Sequence, residues 1–327
     1  MTDYPHTRRN SWKKQEVARK WRSLLGIFMT AVLIFAAING IARTLSIGKF
    51  FGRSNWEGKA AFWAAFATKP LSVLIYNPTA HEISLVKLSE DLYFVTGDSR
   101  EPLAEIGKVS ESAGGLITAA SRITRSPIRN FVILKEREEA SRESLEKYFK
   151  SFASLFTPIR ILVAKPTGIL DTNITRVDMI RLWWQVKSLS LNNLNFVDAT
   201  GLSQEIVTAG GYKILGVDDV SIHRLISKYL QNWTVLEEQM AVSIDDFSGE
   251  AANGSLARDF VLAIGGDVTG ISQKSDERVE KTFIAAGRDS YTASYLAKVF
   301  ECDIKALPSV AEGEVKVVVG QDFGQKF

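Results

Sequence analysis

Sorted by its apolar and polar positions, the chain shows one long uncharged run followed by many short ones with periods of two or of three to four. The long run, residues 24–42 (LLGIFMTAVLIFAAINGIA), carries no charged side chain. As a helix it measures about 28 Å, against a hydrocarbon core of about 30 Å. It is expected to cross a bilayer once, as a transmembrane helix over 23–43. A cleaved signal peptide and a buried core helix are the poorer readings, because the run exceeds the usual apolar core of such peptides, no small-x-small site follows it, and it has the length of a span. The arm 1–22 holds seven Lys or Arg against Asp3 and Glu16, which places it on the cytoplasmic side. Arg43, Lys49, Arg53 and Lys59 follow the run and weaken that asymmetry. The segment 44–68, with Phe50, Phe51, Trp56, Phe62, Trp63 and Phe66 among glycines and basic residues, has the mix of a membrane-interface segment.

Beyond it, LSVLIYN and EISLVKL are β-branched-rich runs joined through Asn77-Pro78, which predicts a β-hairpin. Gly114-Gly115 opens a helical stretch that Pro127 stops, and IRNFVIL reads as a buried strand. The segment EEASRESLEKYFKSFASLF predicts one long amphipathic helix with Leu145, Tyr148, Phe149, Phe152, Leu155 and Phe156 on its apolar face. RILVAK reads as a strand. Thr175, three residues before Asp178, caps a helix over RVDMIRLWWQVKSL. Trp183 and Trp184 are adjacent on that helix and point about 100° apart, so one packs while the other faces out, and the pattern leaves open which. LNFVDA predicts a strand, Ala209-Gly210-Gly211 a turn and SIHRLISKYLQ a helix.

From Met240 the runs become compact: AVSI, a helix over 254–264 ended by Gly265-Gly266, DVTGIS, KTFIAAG, the helix SYTASYLAKVF and a last strand VKVVVG. This βαββαβ order predicts a small unit with two helices on one face of a four-stranded sheet.

Composition changes the picture only by exclusion. The 327 residues have a net charge of +3, and much of the basic excess flanks the uncharged run, so nucleic acid is not an expected partner. The single cysteine, Cys302, rules out an intramolecular disulfide and a cysteine-rich zinc site, and reads as a small core filler beside Phe300. Three histidines, His6, His81 and His223, have no metal-binding spacing, so no metal site and no cofactor are expected. Arg122, Arg125 and Arg129 flank Pro127 and are the candidate anion-binding cluster, although basic residues at a helix C-terminus also serve its dipole.

The last quarter of the chain resembles the LytR C-terminal domain. Asp246 stands where that family's pattern has Asn, Ser248-Gly249 follow, Leu256-Ala257 open the helix, and Gly320, Asp322 and Phe323 match the closing motif. The stretch from Leu71 to Leu134 resembles, more distantly, the first half of a LytR-CpsA-Psr (LCP) catalytic domain. The matching positions are YNPTAHEISLVKL, Ser89-Glu90-Asp91, Gly114-Gly115 and Ser126-Pro127-Ile128 before FVIL. The resemblance implies a signal-anchored, outward-facing protein of the cell envelope, working on polyprenyl-pyrophosphate-linked glycopolymers with arginines and Mg²⁺-binding carboxylates.

The chain departs from that pattern where the chemistry lies. The family's strand-end arginine falls on Glu90, whose charge repels phosphate; at 4 Å and an effective dielectric of 20 that interaction is about 4 kcal/mol. Of the recognisable acidic set only Asp91 is present, a weak candidate for catalysis and a ready turn carboxylate.

The expectation is therefore an α/β protein laid out as a cytoplasmic arm 1–22, a transmembrane helix 23–43, a juxtamembrane segment 44–68, a degenerate mixed-sheet LCP-like domain 69–236 and a LytR C-terminal-like domain 238–324. It is expected to act at the cell membrane as a non-catalytic binder or scaffold, a pseudoenzyme of the LCP type. Its expected partners are the membrane, cell-wall glycan or a polyprenyl-linked lipid, and a protein docked on the C-terminal domain. The alternative is an active Mg²⁺-dependent phosphotransferase using Arg122, Arg125 and Arg129.

Overall fold

The computed structural model describes residues 54, 56–95, 103–105, 112–163, 168–207, 211, 213–274 and 277–327, together with Thr30. The basic arm, the uncharged run apart from Thr30, and the turn residues Ala209 and Gly210 lie outside the described residues. Among the described residues no helix is long and apolar enough to cross a membrane.

The chain from Ser54 onward is one compact mixed α/β unit. In chain order its elements begin with β1 (Phe62–Phe66), β2 (Ser72–Asn77), β3 (Glu82–Lys87), β4 (Tyr93–Val95), β5 (Leu103–Glu105), α1 (Ala113–Thr124) and β6 (Asn130–Leu134). There follow α2 (Arg142–Phe152), α3 (Thr157–Val163), β7 (Ile169–Thr172), α4 (Arg176–Val186), β8 (Leu194–Asp198), β9 (Ser203–Val207), β10 (Lys213–Val217) and α5 (Asp219–Leu230). The remainder is α6 (Trp233–Glu238), β11 (Ala241–Asp246), α7 (Ala251–Ala263), β12 (Asp267–Gln273), β13 (Phe283–Ala286), α8 (Tyr291–Val299), β14 (Asp303–Ala306), β15 (Glu314–Val319) and α9 (Phe323–Lys326).

The first sheet has six strands in the order β7-β6-β1-β2-β3-β8, mixing parallel and antiparallel pairs. The hairpin β2–β3 forms where predicted, and Asn77 Oδ1 closes its turn by accepting from the N–H groups of Thr79 and Ala80. Register sorts the strands' side chains into two faces. Phe62, Tyr76, Ile83 and Leu194 lie in one row, with Ala64, Leu74, Leu85 and Phe196 beside it. Those residues pack with Leu145 and Phe149 of α2 and Val186 of α4. Trp63, Ala65, Val73, Ile75 and Val86 point the other way, into a larger core shared with α1, α5 and the C-terminal half.

Strand β1 corrects the sequence reading. Trp56, Phe62 and Trp63 are core residues, not an interface belt, and β1 sits inside the sheet between β2 and β6. A strand buried on both faces reads as an unbroken apolar run, which is also how an interfacial segment reads. Two further expectations change. The long helix breaks at Ala153, and residues 160–163 of RILVAK end helix α3 instead of forming a strand. Pro158 suits the first turn of a helix, where its missing N–H is no loss, and Phe156 O accepts from Arg160 N at 3.1 Å.

The second sheet runs β12-β11-β15-β13-β14. The predicted βαββαβ order is present, but β14 adds a fifth strand at the edge; its four residues are all exposed, so no apolar alternation announces it. Gly265, at φ +93°, ends α7 as expected, with Gly266 N–H donating to Val261 O at 2.9 Å. Helix α5 packs on β2, α1 and α7 at once, so a single apolar core runs from the first sheet to the second. At its centre Phe260, Phe300, Phe323 and Phe327 stack with ring centroids 5.1 to 6.4 Å apart.

Candidate functional site

The three candidate arginines lie at and just beyond the C-terminal end of α1, each bonded to another element of the core-sharing half. Arg122 Nε donates to the backbone oxygen of Phe327 at 3.0 Å. Arg125 pairs with Asp219 at the start of α5 and, at 3.6 Å, with Asp259 of α7. Arg129 bonds the carbonyl of Lys298 and the carboxylate of Glu301 at the end of α8. Burial lowers the pKa of Arg122, and it lowers that of Arg129 to about 10. Arg129 also borders a small cavity of ≈80 Å³ between Trp56 and Tyr291. Asp91 is exposed in the turn after β3 and lines neither that cavity nor the larger one. The structure therefore brings the three arginines to one seam but does not bring Asp91 to them. Cys302 packs against the shared core, and burial pushes its thiol up to about 12, as suits a filler and not a nucleophile.

The larger cavity, ≈160 Å³, opens between the other face of the first sheet and helices α2, α3 and α4. The sheet supplies Phe62, Phe66, Leu74, Tyr76, Ile83 and Leu85, and the helices add Leu145, Phe149, Phe152, Met179, Leu182 and Val186. An engineered apolar cavity of about 150 Å³ stays dry and takes up benzene, so this one has room for a hydrocarbon fragment of about that size. Among the described residues lining it there is no carboxylate, imidazole or thiol. The polar groups are hydroxyls, including those of Tyr76 and Tyr148, and one guanidinium, Arg160. Tyr76 is 1% exposed and its Oη has no hydrogen-bond partner among the described residues, while burial raises its pKa. Burial, followed by the neighbouring Glu138 charge, pushes Tyr148 up to about 12. Both phenols therefore remain donors at neutral pH.

Arg160 sits on α3, exposed and with no ion pair or side-chain hydrogen bond among the described residues. Among the described residues it is the one cation of the lining, and the sequence reading missed it because RILVAK was assigned to a strand. The available signal was Thr157-Pro158 followed by apolar residues spaced three and four apart. The tryptophan pair divides as its spacing requires: Trp183 is buried and donates from Nε1 to Ser154 O at 2.9 Å, while Trp184 is exposed with the Lys187 ammonium 3.4 Å from its ring centroid.

No protein-family model matches the chain, and no curated protein matches it. Solved structures share part of its backbone course. Bacillus subtilis TagV aligns with a TM-score of 0.38 and 13% identity over 51% of this chain and 94% of its own. A transcriptional regulator from Enterococcus faecalis gives 0.40 and 13%, over 53% of this chain and 87% of its own. The LytR-CPS2A-psr family protein YwtF (TagT), solved with bound octaprenyl pyrophosphate lipid, gives 0.33 and 10%, over 51% and 88%. At TM-scores of 0.33 to 0.40 these likenesses assign neither an activity nor a ligand to this chain.

Proposed function

We propose that the protein holds part of the hydrocarbon chain of an anionic lipid in the apolar cavity, with the lipid's phosphate at Arg160. It would serve as a membrane-anchored, non-catalytic binder or scaffold in glycopolymer assembly at the cell envelope. The carrying observation is the lining itself: apolar walls, hydroxyl donors and, among the described residues, a single guanidinium without an ion pair or side-chain hydrogen bond, at the exposed side. Guanidinium suits phosphate, since its planar fork presents two parallel donors. A described lining without carboxylate, imidazole or thiol offers a bound phosphoester neither a base nor a strong nucleophile, which favours binding over transfer. The LCP resemblance in the sequence narrows the lipid to a polyprenyl phosphate or pyrophosphate. The rival transferase reading needs Arg122, Arg125 and Arg129 at the lipid, whereas all three are bonded into the seam behind the opposite face of the sheet.

Calorimetric titration of the full chain in detergent tests the reading with farnesyl pyrophosphate, farnesol and inorganic pyrophosphate. Farnesyl pyrophosphate should bind best, Arg160→Ala should weaken it by about tenfold, the effect of about 1.4 kcal/mol expected for a charge-assisted bond, and Leu182→Trp should fill the cavity and abolish binding. Equal binding to wild type and both variants overturns the assignment. Mg²⁺-dependent glycopolymer transfer lost on Asp91→Ala would establish the transferase instead.

A further inference from the structure

We infer that the face built from α3, the turn before it, Leu170 of β7 and Trp184 of α4 seats on the lipid bilayer interface, so that the cavity opens onto the membrane. Leu155, Phe156, Ile159, Leu162, Leu170 and Trp184 are all exposed, Leu155 at 80% and Phe156 at 65%. Together they present on the order of several hundred Å² of apolar surface, more than scattered surface hydrophobes account for. Those of α3, the turn before it and α4 lie together. Ile159 and Leu162 are three apart on α3, Leu155 and Phe156 lie in the turn just before it, α3 packs on α4, and the bond from Trp183 Nε1 to Ser154 O ties the helix bearing Trp184 to the residue before Leu155.

Three observations commit the face to a bilayer and not to another protein. First, the same elements wall the cavity: Thr157 and Arg160 of α3, Ile169 of β7 and Met179 and Leu182 of α4 line it. A cavity of ≈160 Å³ encloses only a fragment of a long chain, so the remainder needs apolar surroundings next to the opening. Second, the charged groups flanking the exposed side chains include Arg160 and Lys187, the latter stacked on Trp184; a tryptophan with an adjacent ammonium is the pairing that sits at headgroup level. Third, the chain enters the described unit on this very helix. Ser54 Oγ donates to Asp178 Oδ1 at 2.6 Å, Arg181 holds the carbonyl of Trp56, and Gln185 Nε2 donates to Gly58 O at 2.9 Å. Only the eleven residues 43–53 separate that entry from the uncharged run, a reach of at most about 40 Å. A tether fixed on α4 keeps α4's exposed residues within range of the bilayer that the run is expected to enter.

Docking goes beyond the lipid-binding reading and is read out separately from it. The full chain, with Cys302→Ser and carrying a nitroxide at Ile159→Cys or, in a second preparation, at Lys274→Cys just past β12, is reconstituted in phosphatidylethanolamine–phosphatidylglycerol vesicles. The ratio of collisions with oxygen to collisions with a water-soluble nickel complex should be about tenfold higher at 159 than at 274, with or without farnesyl pyrophosphate. Equal ratios, which put α3 in water, overturn the proposal. So does shielding of position 159 from both reagents, which means that protein covers it. Loss of farnesyl pyrophosphate binding with the ratio at 159 unchanged would remove the cavity assignment and leave docking in place.

Discussion

Two residues show how one side chain's partners decide its role. Asp246 is 2% exposed, yet both carboxylate oxygens are used: Oδ1 accepts from the N–H and hydroxyl of Ser248 at 2.9 and 2.7 Å, and Oδ2 accepts from Gly254 N–H at 3.0 Å. Gly254 is required by that approach, because a Cβ there would lie 2.8 Å from Asp246 Oδ2. Asp246→Ala leaves buried donors unmet and should lower stability by about 2–3 kcal/mol in urea denaturation. Asp246→Asn keeps an acceptor for Ser248 but turns an N–H toward Gly254, so its loss should fall between wild type and Ala. Equal stability of the Asn variant and wild type would show that the Gly254 bond contributes nothing. Arg160 is the converse case, a cation with no protein partner among the described residues, and its meaning comes only from the cavity beside it.

At the scale of elements, helix ends carry much of the specificity. Helix α8 receives at its N-terminus a carboxylate from a different element: Glu238 accepts from Tyr291 N–H at 3.0 Å and Thr292 N–H at 2.6 Å. Burial acts to raise its pKa, but the bonds from Thr292 and Tyr291 outweigh it, and the net shift is downward from 4.5. A carboxyl depressed in the folded state stabilises fully above its unfolded pKa and loses that contribution as pH falls through the folded value. Glu238→Gln should therefore cost about 1 kcal/mol at neutral pH, with the difference from wild type shrinking below about pH 4.5, as urea midpoints across that range would show. A gap that stayed constant with pH would rule out the charge as its origin. Helix α3 makes a complementary point. Thr157 and Arg160 line the cavity while Ile159 and Leu162 are exposed, so one short element both walls the cavity and displays apolar side chains beside it.

Across the whole molecule, the described unit is joined by α5, whose Ile222, Ile226 and Leu230 are buried in the core shared by both sheets. The arginines at and just beyond the end of α1 reinforce the seam at its periphery, by tying Phe327, α5, α7 and the end of α8. A cavity at Ile226, which is 0% exposed, should thus be felt on both sides. Ile226→Ala should cost about 3–4 kcal/mol. In hydrogen exchange on the full chain, the opening free energies of β2 and β15 amides should fall together by that amount. A fall confined to one strand would mean that the two sheets unfold independently.

Much of this architecture was determined by local pattern. The β2–β3 hairpin, the helix capped by Thr175, the Gly265 stop and the alternation of β11 follow from turn chemistry and periodicity, which act over a few residues and survive in any tertiary setting. The long uncharged run likewise needs no fold to be recognised. Other features were decided only by tertiary packing. Whether Phe62–Phe66 is a membrane-interface segment or a central strand depends on partners that come from Ser72–Asn77 and Asn130–Leu134. Whether Trp183 or Trp184 is buried depends on which side of α4 meets Ser154, and whether Arg122, Arg125 and Arg129 face a ligand or a seam depends on where Phe327, Asp219 and Glu301 arrive. A cavity is the extreme case. It is the space left by Leu74, Leu145, Met179 and Leu182, side chains far apart in the chain, and no stretch of sequence encodes it alone.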